Sequence, residues 1–369
     1  MKRSSKTTIS VTKLKLSKSA MIPPPDFVKK LLFIRLGSLG DVAKCVPAYR
    51  SLANCFPQAQ SDWLVDVRFA GAIDSQLNGG SVVPVFKASN FRELLKIRKT
   101  LQANNYDLVV DAHGNIRSGV LAKMTGAPVR IGFSRGFHKE GWINSFFMTH
   151  RVTPQGLIQN RRLMAMSLAK ECGGVDCNDY PFLVSHFQYL QEAQAFFKSR
   201  PIILIHPGGS LKGVYKRWFL DRYAVLAKKL KDTYAANIFL VWGNREEKTL
   251  CEALQKISGL HLPLIPATDL PGLMGYLAAA DLVIGADSGP VHLADALGTP
   301  VVSIHGPKDP ARYGPCGPRA VAVSHHLPCV FPKGLEGLVC RNTACKHRNC
   351  LQEITVDDVF AACEKTGFF

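Results

Sequence analysis

The sequence predicts an α/β protein made of two successive halves, each a parallel sheet covered by helices on both faces. Three observations carry this expectation. At 369 residues the chain exceeds one ordinary domain of ~100–200 residues. Short apolar runs alternate with longer stretches of helical periodicity, which is the mark of right-handed βαβ units. The alternation loosens between Val152 and Pro201 and then starts again.

In chain order, residues 31–34 (Leu-Leu-Phe-Ile) read as a buried strand, and 42–56 as a helix with apolar residues at three- and four-residue steps. Strands follow at 63–65, 82–85 and 108–110, with helices over 91–101 and 116–124 between or after them. The looser stretch holds a helix at 161–170, a Gly-Gly, a polar run and a helix at 187–198. The pattern resumes with a strand at 202–205, a helix at 219–230, a strand at 238–241 and a helix at 246–257. Strands at 282–284 and 301–304 complete it. The expected division is a basic disordered tail over 1–26, a first domain over 27–190 and a second over 191–369, joined near 185–200.

Composition narrows the class. Hydrophobic content of 47% and charged content of 20% suit a globular chain with two real cores. The most apolar region, 262–286, is broken by Asp269, Pro271 and Asp281. It reads as helix then strand, short of the ~18 uninterrupted apolar residues of a membrane span. Lys13, Lys15 and Lys18 interrupt the N-terminus where a secretory signal needs an apolar core. The net charge is +18, and setting aside the six cations of residues 1–25 leaves the body near +12. Such a body meets polyanions: nucleic acid, an anionic membrane surface or phosphorylated substrates. Eleven cysteines without a signal sequence are expected to be reduced. Cys329, Cys340, Cys345 and Cys350 are spaced more loosely than the C-x2-4-C pairs of structural zinc sites, so no metal is expected.

Three loops at strand ends carry candidate chemistry. Residues 35–41 (Arg-Leu-Gly-Ser-Leu-Gly-Asp) join the first strand to the first helix. Gly37 and Gly40 lack the spacing of the G-x-G-x-x-G dinucleotide fingerprint, which disfavours a dehydrogenase. Asp41 stands where an α/β ligand crevice forms, although an Asp there also serves as a simple helix cap. The second loop, His206-Pro207-Gly208-Gly209-Ser210 with Lys216 downstream, combines turn residues with a cation, as a phosphate site requires. The bland alternative is an ordinary βα connection. The third, 285–294, places Asp287, Ser288, Gly289 and His292 at one helix N-terminus. There the backbone N–H groups favour a phosphate, and the polar side chains suit sugar hydroxyls.

These residues fall within longer motifs: R-L-G-S-L-G-D-V at 35–42, D-x-H-G-N-x-R-S-G at 111–119, H-P-G-G-S at 206–210 and K-R-W at 216–218. D-S-G-P-V-H-L-A at 287–294 and H-G-P-K-D-P-A-R at 305–312 complete the set. In that order, from about residue 30 to the end, the chain resembles glycosyltransferase family 9, the ADP-heptose:lipopolysaccharide heptosyltransferases. The resemblance implies a GT-B fold: two Rossmann-like domains facing a central cleft, with acceptor on the first and nucleotide sugar on the second. It also implies inversion at the anomeric carbon without a metal or other cofactor.

By the same resemblance Asp41 is the general base and Lys216 contacts the diphosphate, while Asp287, Ser288, Gly289 and His292 form the donor loop with Gly40, Gly208 and Gly209 nearby. Glu246, preferred to Glu247, binds the ribose. Arg68, Arg117, Arg130 and Arg135 are candidate contacts for an acceptor rich in phosphate or carboxylate. The implied partners are an ADP-sugar, an acidic or phosphorylated lipid-linked saccharide and the cytoplasmic face of the inner membrane, met peripherally. Two alternatives stay open: a GT-B transferase for another nucleotide sugar, and a basic module for nucleic acid or lipid surfaces. The second requires clustered cations with interleaved aromatics. Here the cations are dispersed, so no nucleic-acid partner is expected.

Overall fold

The computed structural model describes residues 22–77, 79–135, 141–154, 160–177, 180–209, 211–325, 345 and 347–368. Most of the expected tail and the cysteines Cys329 and Cys340 lie outside the described residues.

Six parallel strands form the first sheet: β1 (Lys30–Ile34), β2 (Gln60–Asp66), β3 (Val82–Val85), β4 (Leu108–Asp111), β5 (Val129–Phe133) and β6 (His150–Val152). Five parallel strands form the second: β7 (Ile202–His206), β8 (Asn237–Leu240), β9 (Leu282–Ala286), β10 (Val301–Ile304) and β11 (Ala320–Val323). The central strands β1, β4, β7, β9 and β10 are almost wholly buried, as strands covered on both faces must be, and so they read as unbroken apolar runs.

The strand orders are β3-β2-β1-β4-β5-β6 and β11-β10-β9-β7-β8. Each order reverses once, between β1 and β4 in the first sheet and between β7 and β9 in the second. Loops at the carboxyl ends of strands diverge at such a point and leave a crevice.

One apolar cluster runs through both halves. It includes Phe33, Val46 and Trp63 of the first and Val283, Val291 and Leu293 of the second. The seam is the packing of helix Leu39–Cys55 against helix Gly289–Ala296. The expected boundary at 190/191 falls inside helix Phe187–Phe196. That helix packs on helix Leu270–Ala279, and Phe196 and Phe197 meet Phe239 and Tyr276 of the second half.

Candidate active site

The two crevices face each other, and glycines set how closely. A Cβ on Gly40 would come within 2.5 Å of His292 Cδ2, and one on Gly289 within 3.0 Å of Leu39 Cδ2. Gly40 therefore needs a residue without a side chain for the first helix to reach the 287–292 loop, and at Gly289 the Leu39 side chain would have to give way.

Asp41 is the third residue of helix Leu39–Cys55, and Ser38 occupies the N-cap. The capping alternative therefore fails: the Asp41 carboxylate bonds no helix N–H here. Its Oδ2 instead accepts from Arg35 Nη2 at 2.5 Å and from Ser38 Oγ at 3.3 Å. Arg35, nearly buried, also donates to the Ala112 carbonyl at 2.8 Å, which ties β1 to the loop after β4. Burial pushes the Asp41 carboxyl up, but Arg35, Arg161, Lys44 and Lys308 outweigh it and hold the group well below the usual carboxylate range.

Across the cleft Asp287 is the hub. Lys216 Nζ lies 2.8 Å from its Oδ2 and donates to its carbonyl at 3.0 Å; His292 Nε2 lies 3.0 Å from Oδ1, and Lys308 Nζ 3.7 Å from Oδ2. Burial opposes ionisation of Asp287, yet His292, Lys216 and Lys308 keep its carboxyl well below the ordinary value. Burial and nearby Lys44 lower the His292 pKa, although Asp287 opposes them. Ser288 is the N-cap residue of helix Gly289–Ala296, but its side chain does not cap the helix. Its hydroxyl lies 2.9 Å from His206 Nδ1 instead, linking the ends of β7 and β9.

Tyr313 gathers the remaining cations at the seam. Its carbonyl accepts from buried Lys44 Nζ at 2.6 Å, and its ring carries Lys308 at 4.6 Å and Arg161 at 5.5 Å. Five cationic side chains, Arg35, Lys44, Arg161, Lys216 and Lys308, thus surround two carboxylates, Asp41 and Asp287. The excess of positive charge suits a diphosphate, while Asp41 faces it from the other half.

The remaining predicted residues divide. Glu247 is buried and accepts from Gly209 N at 3.1 Å and Gly243 N at 2.8 Å, so it braces the loop of Gly208 and Gly209. Glu246 is more open and pairs with Arg217 at 2.8 Å. Asp66 draws Arg68 (2.8 Å) and Arg117 (3.6 Å) to one point beside the first crevice. Arg130 is different: it donates to the carbonyls of Phe147 and Ala127, so backbone bracing takes up its guanidinium. Arg135 lies over the Phe146 ring at 4.7 Å. Cys345 and Cys350 are half-buried, and the described residues hold no group of three or more His, Cys, Asp or Glu able to bind a metal.

Sequence reasoning missed Lys44 and the bracing by Asp111. Lys44 had a signal, a lone cation between Ala43 and Cys45 on an apolar helix face. Asp111, fully buried, accepts from Ser118 Oγ, Asn144 Nδ2 and the amides of His113 and Gly114, at 2.8–3.1 Å. It thereby folds the loop that carries Arg117. Burial raises its pKa against those four donors.

Comparison with known proteins follows the same outline. The profile of Glycosyltransferase family 9 (heptosyltransferase) matches residues 94–334. The lipopolysaccharide core heptosyltransferase OpsX of Haemophilus influenzae is 26% identical over 92% of this chain and 98% of its own. Lipopolysaccharide heptosyltransferase 1 of Escherichia coli K12 is 27% identical over 78% and 91%. Among solved structures, E. coli heptosyltransferase WaaC with ADP superposes with a TM-score of 0.69 at 24% identity, covering 91% of this chain and 99% of that one. A family 9 glycosyltransferase from Veillonella parvula reaches 0.74 at 18% identity, covering 95% and 99%.

Proposed function

The chain belongs to glycosyltransferase family 9, the heptosyltransferases, and on that premise we propose that it transfers heptose from ADP-heptose to the inner core of lipopolysaccharide, with inversion. The observation that carries the reading is the opposition of Asp41, on the first half, to the cation-ringed Asp287 loop on the second.

An acceptor hydroxyl held beside Asp41 gives its proton to the carboxylate as its oxygen bonds the anomeric carbon. The bond from that carbon to the diphosphate breaks on the opposite face, and ADP leaves with the electron pair. Attack opposite the leaving group inverts the centre. Lys216, Lys308 and the N-terminus of helix Gly289–Ala296 neutralise the departing charge, the task that preorganised cations and dipoles perform in acyl and phosphoryl transfer. Because the protein supplies this charge, the reaction proceeds without a metal. In this reading Glu246 binds the ribose, and Arg68 and Arg117 meet acidic groups of the acceptor. The acceptor is lipid-linked, so the enzyme works peripherally at the cytoplasmic face of the inner membrane.

The test is to incubate the purified protein with ADP-heptose and a heptose-free inner-core acceptor. ADP release, one added heptose by mass spectrometry and the opposite anomeric configuration by NMR are expected. Equal turnover of UDP- or GDP-sugars would replace this reading with a transferase of another nucleotide sugar.

A further inference from the structure

We infer that one rim of the first half, formed by Phe86, Phe91, Leu95, Trp142 and Phe146, docks on an anionic lipid bilayer. The inference rests on the lipid-linked acceptor proposed above.

These five side chains are 45–70% exposed, and four of the six exposed Phe and Trp side chains among the described residues lie here. The fold brings them to one edge of the sheet, on the two sides of a single helix. β3 ends at Val85, and helix Phe91–Ala103 starts just beyond it, at the carboxyl edge of the sheet. The turn Gly141–Asn144 is pinned to that edge, because Asn144 Nδ2 donates to Asp111 Oδ2 at the end of β4. Ile97 and Phe147 pack against the same apolar cluster, of Leu32, Val109 and Leu121, so both segments cover one sheet face. Both also pack on helix Ile116–Met124, which lies between them.

Helix Phe91–Ala103 has the character of an interfacial helix. Leu101 is buried and Ile97 half-buried, whereas Phe91 and Leu95, four residues apart, stand together on the outer side. The cations are dispersed over the chain as a whole, but residues 86–103 are a local exception that the sequence reading passed over: Lys87, Arg92, Lys96, Arg98 and Lys99 stand against a single acid, Glu93. Ser89 already occupies that carboxylate, donating from its amide at 2.8 Å and its hydroxyl at 3.1 Å. Glu93 also feels the charge of Lys96, which leaves four of the five cations in excess, and aromatic and leucine side chains ringed by such an excess match a bilayer interface with anionic headgroups. A second copy of this chain would bring the same positive charge to the contact and be repelled. The rim also lies at the carboxyl edge where Arg117 and Asp41 open into the cleft, so docking there leaves the acceptor's lipid in the bilayer.

The experiment is flotation of the full chain with vesicles of phosphatidylcholine alone and with phosphatidylglycerol added, without substrates, so that it is independent of transfer. At least tenfold stronger binding to the anionic vesicles is expected, weakening with salt. Phe91→Ser with Trp142→Ser, and separately Lys96→Glu with Lys99→Glu, should each lower binding tenfold or more. Each cation near such a surface accounts for about fivefold. Both variants should retain native kcat on a delipidated acceptor and lose turnover on acceptor embedded in vesicles. Vesicle binding equal to native in both variants, or no preference for anionic vesicles, overturns the inference. So does a native dimer that Phe91→Ser with Trp142→Ser converts to monomer, since the occupant is then a second copy.

Discussion

Asp41→Asn separates a catalytic carboxylate from the anionic half of an ion pair. The amide keeps an oxygen for Arg35 Nη2, now 2.5 Å away, and removes only the charge. The bond stays charge-assisted because Arg35 keeps its charge, but its buried guanidinium loses its counter-ion, so a structural loss of up to ~3–5 kcal/mol is expected. Removing a general base costs ~10²–10⁴ in kcat, or about 3–5.5 kcal/mol of barrier. ADP affinity should hold or rise, because a negative charge leaves a cleft that binds an anion. Steady-state ADP release, calorimetric ADP affinity and thermal unfolding of one preparation distinguish the two roles. A kcat within fivefold of native refutes the base assignment, and a kcat loss matched by an equal loss of ADP affinity refutes the geometry behind it.

Lys216→Met and Lys308→Met should each weaken ADP by about 1.5–3 kcal/mol and AMP much less, as loss of a charge-assisted contact to the second phosphate requires; calorimetry showing equal losses for both nucleotides would place the lysines elsewhere. Gly40→Ala puts a methyl 2.5 Å from His292 Cδ2, so overpacking of ~1–3 kcal/mol and a drop in kcat/KM of tenfold or more are expected, whereas native turnover would show the two halves meeting differently. Burial lowers the pKa of His305 to about 3 and also depresses that of His292. Below pH ~6.5 the unfolded chain then binds protons that the native one refuses, so stability falls with pH by up to ~1.4 kcal/mol per unit for each histidine. Urea midpoints at pH 7, 6 and 5.5 read this slope; His305→Gln should flatten it, and a flat native profile would contradict the burial.

The strand-end loops were legible because each follows a buried strand whose apolar run is unmistakable. β5, β6 and β11 were not. β5 (Val-Arg-Ile-Gly-Phe) is interrupted by an arginine and a glycine, β6 has only three residues, and β11 is a half-exposed edge strand of alternating Ala and Val. The loop identities did not disclose what each side chain bonds. Asp41 read equally well as a cap until Ser38 proved to hold that position. Arg130 read like Arg117, yet one is spent on carbonyls and the other turns to Asp66. Lys308 stood in a quoted motif, but its part depends on Tyr313 and Asp287, which reach it only through the fold.

The depressed pKa of Asp41 bears on how it can act as a base. Without donor, Arg35, Arg161, Lys44 and Lys308 all turn their charge on it, and a carboxylate so stabilised is a weak proton acceptor. Lys308 is shared, because it also raises the ionisation of Asp287. A diphosphate entering between the halves brings about two negative charges to the same cations. At a distance of roughly 8 Å and an effective dielectric constant near 40, each contributes about 1 kcal/mol against ionised Asp41. Together they raise its pKa by ~1.5 units. On the proposed assignment, the base then gains strength when the sugar it serves is present and is quenched when the cleft is empty. The acid limb of kcat, which reports the donor complex, should then lie above that of kcat/KM for the donor, which reports the donor-free enzyme, by about that amount. Titration of the Asp41 carboxyl carbon by NMR with and without ADP measures the shift directly, and an unchanged value on ADP binding would show that the donor's charge does not reach the base.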